Sequence, residues 1–281
     1  MTRKDDFGDR MKSYEATYMQ RTVPRVPLVI RVDGCHFHSF TRGMAKPFDP
    51  ILTKTMQDTM LAMCKEITGA VFGYTQSDEI TVVCRLADPV NMSEYYEGRV
   101  QKILSITASK ATLNFNRWFM RNVNEYGQEP DRYPGAADPD VYRRRLMGAE
   151  FDSRVMNIPD MDLYNCLIWR QSDATRNSVS MLAQSHYTQR ELQGKKRPEM
   201  MDMLMLEKGV NWNDLDTVKK RGACCYRKDM GRKRPEWFVD CEMPILSSDE
   251  GRERFMPIVL GTAEGADNRF PALSIEDMVM I

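Results

Sequence analysis

The sequence lacks a long apolar run. No stretch of it approaches the roughly 18 consecutive apolar residues that mark a membrane helix. Its first residues, MTRKDDFGDRMKSYEA, are charged and lack the apolar core of a signal peptide. We therefore expect a protein that works in the cytoplasm and has no membrane partner.

The sequence also lacks a charge excess of either sign and a zinc-binding cysteine pattern. Lys plus Arg and Asp plus Glu both number 40, so binding to a nucleic acid would depend on local basic patches. The seven cysteines form no CxxC motif, and the adjacent Cys224 and Cys225 are poorly placed to share a tetrahedral ion. Free thiols in a reducing compartment are therefore favoured over disulfides or zinc.

The hydrophobic pattern indicates an α+β fold. A β-rich run at 27–33 precedes a helix that begins at 49–50, a hairpin over 70–84 and a longer helix at about 95–121. One further strand, for which 151–159 is the candidate, would complete a ferredoxin-like βαββαβ layer of antiparallel sheet and helices.

A loop rich in Pro, Gly and Asp at 126–140 is the best candidate for a domain boundary. We expect a core at 1–140 and a C-terminal part at 141–281, with one compact domain as the alternative. The C-terminal part would complete the sheet and be mostly helical, with helices at 161–190 and 198–208.

Three carboxylates stand where strands of this layer would end. Asp33 closes the first strand, and Asp78 and Glu79 occupy the hairpin that joins the next two. In a βαββ sheet these strands are neighbours, so the acids can converge, and converging carboxylates need a cation between them. Mg²⁺ prefers oxygen ligands and tolerates phosphate partners, and Gly34 would let the backbone approach it closely. The alternative is a plain Asp-Gly turn and a solvated Ser-Asp-Glu hairpin tip.

Two motifs resemble the signature of the tRNA-histidine guanylyltransferase superfamily. They are RVDGCHFHSF…AKPFD, which begins at residue 31, and GYTQSDEITVV, which begins at residue 73. Weaker matches, FDSRV, WRQSDATRNS and LQGK, follow in the family's order and extend the resemblance over about residues 25 to 230. The resemblance implies a sheet similar to a polymerase palm and addition of nucleotides to the 5′ end of tRNA. A 5′-monophosphate would be activated with ATP or GTP and then attacked by the 3′-hydroxyl of the incoming nucleotide.

The resemblance also implies roles for individual residues. Asp33 and Asp78 would hold two Mg²⁺ ions with the carbonyl of Gly34, and Glu79 would be a third catalytic acid. The nucleoside triphosphate would be bound by Asp33, Gly34, Cys35, His36, Phe37, His38, Lys46, Ser77, Asp78 and Lys102. The family tends to form tetramers built from dimers, which implies a homo-oligomer.

A basic window at 219–234 suits the backbone of the implied tRNA substrate. It holds eight Lys or Arg and one acid, and cationic contacts dominate affinity for nucleic-acid phosphates. We expect the C-terminal part to bind tRNA through Lys219, Lys220, Arg221, Arg227 and Lys228. For the arginine triplet 143–145, RNA contact and a solvated surface are equally open.

One segment departs from the eukaryotic guanylyltransferases. Where those enzymes carry His-Ile-Asn-Asn, this chain has Thr-Arg-Asn-Ser at 175–178, which is similar to the bacterial and archaeal guanylyltransferase-like branch. We therefore expect template-dependent 3′-to-5′ repair of the tRNA 5′ end. A strict tRNAHis guanylyltransferase that adds G at position −1 is the first alternative. A palm-type nucleotide cyclase that needs no RNA and a non-catalytic RNA-binding module are the others.

Overall fold

Six antiparallel strands form a single sheet with helices on both faces. The computed structural model describes residues 6–86, 93–231 and 235–262. The strands are β1 (Leu28–Gly34), β2 (Ala70–Gln76), β3 (Glu79–Cys84), β4 (Phe151–Asn157), β5 (Ala223–Lys228) and β6 (Glu236–Asp240). The helices are α1 (Asp6–Ala16), α2 (Phe37–Phe40), α3 (Pro50–Glu66), α4 (Val100–Gln128), α5 (Pro139–Arg143), α6 (Asp160–His186), α7 (Gln189–Leu192), α8 (Arg197–Lys208), α9 (Thr217–Arg221) and α10 (Asp249–Leu260).

The strand order β4-β1-β3-β2-β5-β6 contains the expected layer. Its first four strands, with α3 and α4 in the two connections, have the βαββαβ order. The strand expected at 151–159 is present as β4 and pairs with β1 along its whole length. Within the described ranges, no helix is both long and apolar enough to cross a membrane.

The C-terminal part contributes more sheet than expected. The helices predicted at 161–190 and 198–208 are present as α6 and α8, but β5 and β6 extend the sheet beyond β2. The strand β5 lies inside the basic window, and its first four residues are all buried. Such a strand shows no alternation of apolar and polar residues, which explains why the pattern missed it. Residues 232–234 of the window and the chain after residue 262 lie outside the described residues.

The Pro- and Gly-rich segment at 126–140 packs against the core through aromatic residues. The ring centres of Tyr126 and Tyr133 are 6.0 Å apart. Within the segment, the N–H of Ala137 donates to the hydroxyl of Tyr142 in α5 at 2.7 Å. That hydroxyl in turn donates a 2.6 Å hydrogen bond to Asp49, whose carboxylate also caps the N-terminus of α3. The segment thus joins α3 to α4, and the domain division at residue 140 stays a prediction.

The strand β1 divides its side chains between the two faces of the sheet. Ile30 and Val32 are buried with residues of α3 and α4, and Val29 is buried with residues of α6 on the opposite face. Since side chains alternate along a strand, Arg31 and Asp33 point to the α6 face. This face therefore receives the polar residues at the end of β1.

Candidate active site

Neighbouring strands place acidic residues side by side at one end of the sheet. Asp33 on β1 pairs directly with Glu79 on β3 and with Asp152 on β4, and directly opposed residues share a face. Asp78 precedes Glu79 in the β2–β3 turn, and its carbonyl accepts a 3.2 Å hydrogen bond from the N–H of Gly34. The structure thus brings together the three acids singled out in the sequence and adds Asp152. We call these four acids the carboxylate row.

Asp33 and Asp78 are the two members of the row for which the described residues supply no cationic partner. Burial, followed by the nearby carboxylate of Asp33, raises the pKa of Asp78. In the part of the chain that the structure describes, neither acid forms an ion pair. Two close carboxylates without a cation are the arrangement that a bound metal ion stabilises.

The donor set fits Mg²⁺ better than a metal enclosed by protein ligands. The described residues contain no group of three or more His, Cys, Asp or Glu arranged to hold a metal. Mg²⁺ is commonly bound by one or two carboxylates and completes its shell with water and substrate phosphates. Asp33 and Asp78 are both only partly exposed, and their carboxylates are the groups that would hold such an ion.

Glu79 is held differently from the other acids. It is 6% exposed, and Arg170 of α6 donates to its two carboxylate oxygens, from Nε and from Nη2, at 2.7 Å each. Arg170 also donates to Asp173 at 3.1 Å. Although burial raises the pKa of Glu79, Arg170 opposes that rise. This contact joins α6 to the turn that carries Asp78. Both carboxylate oxygens of Glu79 accept hydrogen bonds from Arg170, and the predicted catalytic role of Glu79 stays a prediction.

The segment predicted to bind the triphosphate wraps the end of β1. A Cβ atom at Gly34 would lie 2.2 Å from the ring of Phe37, so glycine is what lets that ring pack against the backbone. His36 adopts a positive φ of 53° and precedes the first residue of α2. The side chains of His36 and of His38 in α2 are both exposed. An open cleft of about 360 Å³ adjoins this segment. It is lined by Cys35, His36, Ser39, Phe40, Arg144, Arg145, Gly148 and Glu150.

The two lysines predicted to contact phosphates lie in different surroundings. Lys46 is exposed on the loop before α3, where the N–H of Ala45 donates to Asp49. Lys102 lies 5.0 Å from the ring centre of Tyr96 and lines another cleft with residues of the N-terminal segment. Lys102 is not among the residues that line the cleft beside His36, and its phosphate contact stays a prediction.

The basic window is split between the two ends of β5. Lys219, Lys220 and Arg221 belong to α9, just before the point where Ala223 pairs with Thr75 near the β2–β3 turn. The other two predicted contacts are at the far end of the strand, roughly 17 Å away at about 3.4 Å per residue. These are Arg227, above the ring of Trp237, and Lys228, above the ring of Phe238.

Arg31, Asp152 and Arg170 were not assigned a role from the sequence. Arg31 stands two residues before Asp33. Because side chains alternate along a strand, the sequence already placed both residues on one face of the first strand. Asp152 and Arg170 lie inside the quoted segments FDSRV and WRQSDATRNS. Their contacts, however, depend on strand register and on the position of α6, neither of which is a local property.

These features define an α+β protein with a candidate site for a cation held by oxygen ligands, and comparisons with known proteins give its family. The model of the tRNAHis guanylyltransferase family, Thg1, matches residues 8–159. A bacterial tRNAHis guanylyltransferase (Thg1)-like protein in complex with ATP is 36% identical, with a TM-score of 0.75 over 90% of this chain and 99% of that chain. A structure of such a protein with GTP is also 36% identical, with a TM-score of 0.71 over 91% and 99%. tRNA(His) guanylyltransferase 2 of Arabidopsis thaliana is 28% identical over 78% of this chain, which spans only 38% of that protein. This chain belongs to the tRNAHis guanylyltransferase family.

Replacing Arg170 with Met should destabilise the fold strongly. The change leaves the carboxylate of Glu79 buried without its partner, which typically costs about 3–5 kcal/mol. Arg176→Met is the matched control, because Arg176 pairs with Asp173 from a position that is 52% exposed and should contribute less than about 1 kcal/mol. Urea unfolding measures both. Equal, small losses for the two variants would show that the buried pair does not hold α6 in place.

Proposed function

We propose that this chain is a nucleotidyltransferase that adds nucleotides to the 5′ end of tRNA in the 3′-to-5′ direction and uses the complementary strand as a template. The observation that carries the proposal is the pair Asp33 and Asp78, which lack a cationic partner among the described residues and lie within the family match. Nucleotidyl transfer needs charge neutralisation and positioning more than covalent catalysis. Membership of the family supports the class of reaction, and the carboxylate pair supports its proposed position at this end of the sheet.

In this proposal Asp33 and Asp78, with the backbone carbonyl of Gly34, hold two Mg²⁺ ions. Such ions, when bound, activate an attacking oxygen and stabilise a leaving one. The sheet then serves as a polymerase-like palm, whose face beside α6 presents the carboxylates. Arg170 keeps Glu79 paired, so that the turn with Asp78 has one position relative to α6.

ATP and GTP are the proposed substrates. The segment from Gly34 to His38, together with Ser77, would line the triphosphate, and the ATP and GTP complexes of the bacterial relatives support a nucleotide site in this fold. The cleft beside His36 carries Arg144 and Arg145, which suit phosphate oxygens. Lys46 would reach phosphate from its exposed loop, and Lys102 from the start of α4.

A homo-oligomer in the cytoplasm is the proposed working state, as a dimer or a tetramer. Its support in this chain is the exposure of large apolar side chains on and after α1, among them Phe7 (66%), Tyr14 (65%) and Tyr18 (74%). Exposed apolar groups in one region are typical of interfaces.

Asp33→Ala and Asp78→Ala should each abolish nucleotide addition and leave the fold intact. Loss of a metal ligand removes several kcal/mol of transition-state stabilisation, which is roughly a thousandfold or more in rate. The measurement is single-turnover addition to a 5′-truncated tRNA with labelled nucleotides and Mg²⁺. Asp131→Ala, an exposed acid in a surface turn, is the control and should keep the wild-type rate. Near wild-type turnover in either active-site variant would exclude the two-carboxylate site. Incubation with GTP alone tests the cyclase alternative, which predicts a cyclic product without RNA.

Neutralising Lys219, Lys220 and Arg221 with Gln should weaken tRNA binding. Each phosphate contact that is lost should lower the slope of log affinity against log salt by about one. The control is the triple change of Lys65, Arg117 and Arg121, three exposed cations on α3 and α4. GTP affinity should not change in either variant. If the slope of log affinity against log salt is unaltered in the α9 variant, these three residues form a solvated surface and do not contact tRNA.

Template choice should follow from the segment at 175–178. Ser178 is buried, where its hydroxyl donates to the carbonyl of Lys219 at 2.6 Å and accepts from the indole of Trp212 at 2.9 Å. Of the four residues only Arg176 and Asn177 are exposed. Selecting an unpaired guanosine needs protein contacts that favour G, and without the eukaryotic motif the opposing base would choose by pairing.

We therefore expect addition of whichever nucleotide pairs with the opposing base, and a stop once the acceptor stem is complete. The measurement uses truncated tRNAs that differ only in that base, each supplied with the four nucleotides separately. Addition of G on every template would contradict the repair function and favour the strict guanylyltransferase.

A further inference from the structure

Arg31 lies beside the carboxylate row, and its guanidinium forms no hydrogen bond to any described residue. A guanidinium carries five N–H donors, yet none of those of Arg31 meets an acceptor among the described residues, and its Nε is buried without a partner. Its charge lowers the pKa of Glu79, but the oxygens of Glu79 are already taken by Arg170. A bound anion would stabilise such a partly buried guanidinium by accepting hydrogen bonds from its unused donors.

Two further residues border Arg31 on the same face. Arg154 on β4 is its direct partner in the strand register and is exposed. It contacts only Asp152 among the described acids, at 3.4 Å. Trp169 of α6 is 50% exposed, and the guanidinium of Arg31 lies 5.9 Å from the centre of its ring. We call Arg31, Arg154 and Trp169 the arginine shelf.

The shelf lies on the opposite side of the carboxylates from the predicted triphosphate segment. Arg31 precedes Asp33 by two residues, or roughly 7 Å of strand, whereas the segment 34–38 continues beyond Asp33. The proposed reaction joins two phosphorylated molecules at Asp33 and Asp78. If the nucleotide occupies the side of the 34–38 segment, the side of the shelf is left for the RNA.

We propose that the arginine shelf binds the 5′ end of the RNA, with Arg31 and Arg154 on the terminal phosphate and Trp169 stacked on the adjoining base. Guanidinium groups bind phosphate oxygens in pairs, and exposed aromatic rings stack on bases of any identity. This inference rests on the proposed function, because it names the substrate group that the carboxylates act on. A free triphosphate on the shelf is the rival occupant.

The test compares two RNAs of the same sequence, one with a 5′-monophosphate and one with a 5′-hydroxyl. Binding is measured without nucleotide, so that no reaction takes place. The wild type should bind the phosphorylated RNA more tightly, by roughly tenfold for one charge-assisted contact. Arg31→Gln and Arg154→Gln should each bring the ratio of the two affinities towards one, and Arg31→Lys should restore part of it. Trp169→Ala should lower the affinity for both RNAs by the same factor and leave the ratio of the two affinities unchanged.

Arg121→Gln is the matched control, because Arg121 lies 5.0 Å from the ring centre of Trp118 on α4, which packs on the other face of the sheet. It should retain the wild-type ratio. Thermal unfolding and GTP affinity are measured for all variants and should not change. If Arg31→Gln fails to fold, Arg154→Gln carries the test from its exposed position.

Three results would overturn the inference. They are a wild type indifferent to the 5′-phosphate, a ratio that persists in both glutamine variants, and a loss of GTP affinity in Arg31→Gln with the ratio intact. Nucleotide addition by the wild type separates this inference from the proposed function. If the wild type adds nucleotides and both glutamine variants keep the wild-type ratio of the two RNA affinities, only the role of the shelf is rejected. No addition, together with a preference that Arg31→Gln removes, rejects the reaction and retains the shelf.

Discussion

Repulsion between the carboxylates of Asp33 and Asp78 is the constraint on which the arrangement of this end of the molecule depends. The fold places three acids on adjacent strands and a fourth in the β2–β3 turn, and within the described residues only two of the four have a cationic partner. Glu79 receives a bidentate arginine from α6, and Asp152 receives Arg154. Burial and then the carboxylate of Asp33 raise the pKa of Asp78, because both disfavour its charged form. Among the described residues two of the acids are paired and the adjacent two are not, and it is between these two that we propose a bound cation.

The rest of the fold makes this arrangement possible. Antiparallel pairing of β1 with β3 and β4 sets the register of the row, and a shift of one residue would turn Asp33 to the opposite face. His36 and Ser77, one on each side of the acids, are non-glycine residues with positive φ. Backbone strain of this kind persists where the surrounding structure enforces it and is concentrated at functional sites. The buried core of α3 and α4 beneath the sheet supplies the stability that the unpaired charges reduce.

Much of this fold could be predicted from the sequence, because local patterns specify it. The β-rich run of β1 and the start of α3 at Asp49-Pro50 both depend on neighbours within a few residues. The strand β5 was missed, since Ala223 to Tyr226 are buried on both faces and show no period. The acids of the site could also be found, since Asp33 and Asp78 end predicted strands.

The partners of these acids could not be found from local patterns. Arg170 contacts Glu79 although it lies 91 residues away in the sequence. The pairing of Asp152 with Asp33 depends on the register of two strands that are distant in the sequence. The position of Lys102, predicted from a resemblance of motifs, shows the same limit. Its neighbours in space, Tyr96 and the residues after α1, follow from how the chain enters α4. Local sequence thus predicts which residues carry charge, and tertiary structure decides which of those charges remain uncompensated.

The most direct test of the account is a crystal structure of the protein with Mn²⁺ and a nucleoside triphosphate, in which anomalous scattering locates the metal. The account predicts metal density between the carboxylates of Asp33 and Asp78, within ligand distance of both, with Glu79 still paired to Arg170. Metal density at another place, with Asp33 and Asp78 left uncoordinated in the presence of the bound triphosphate, would contradict it.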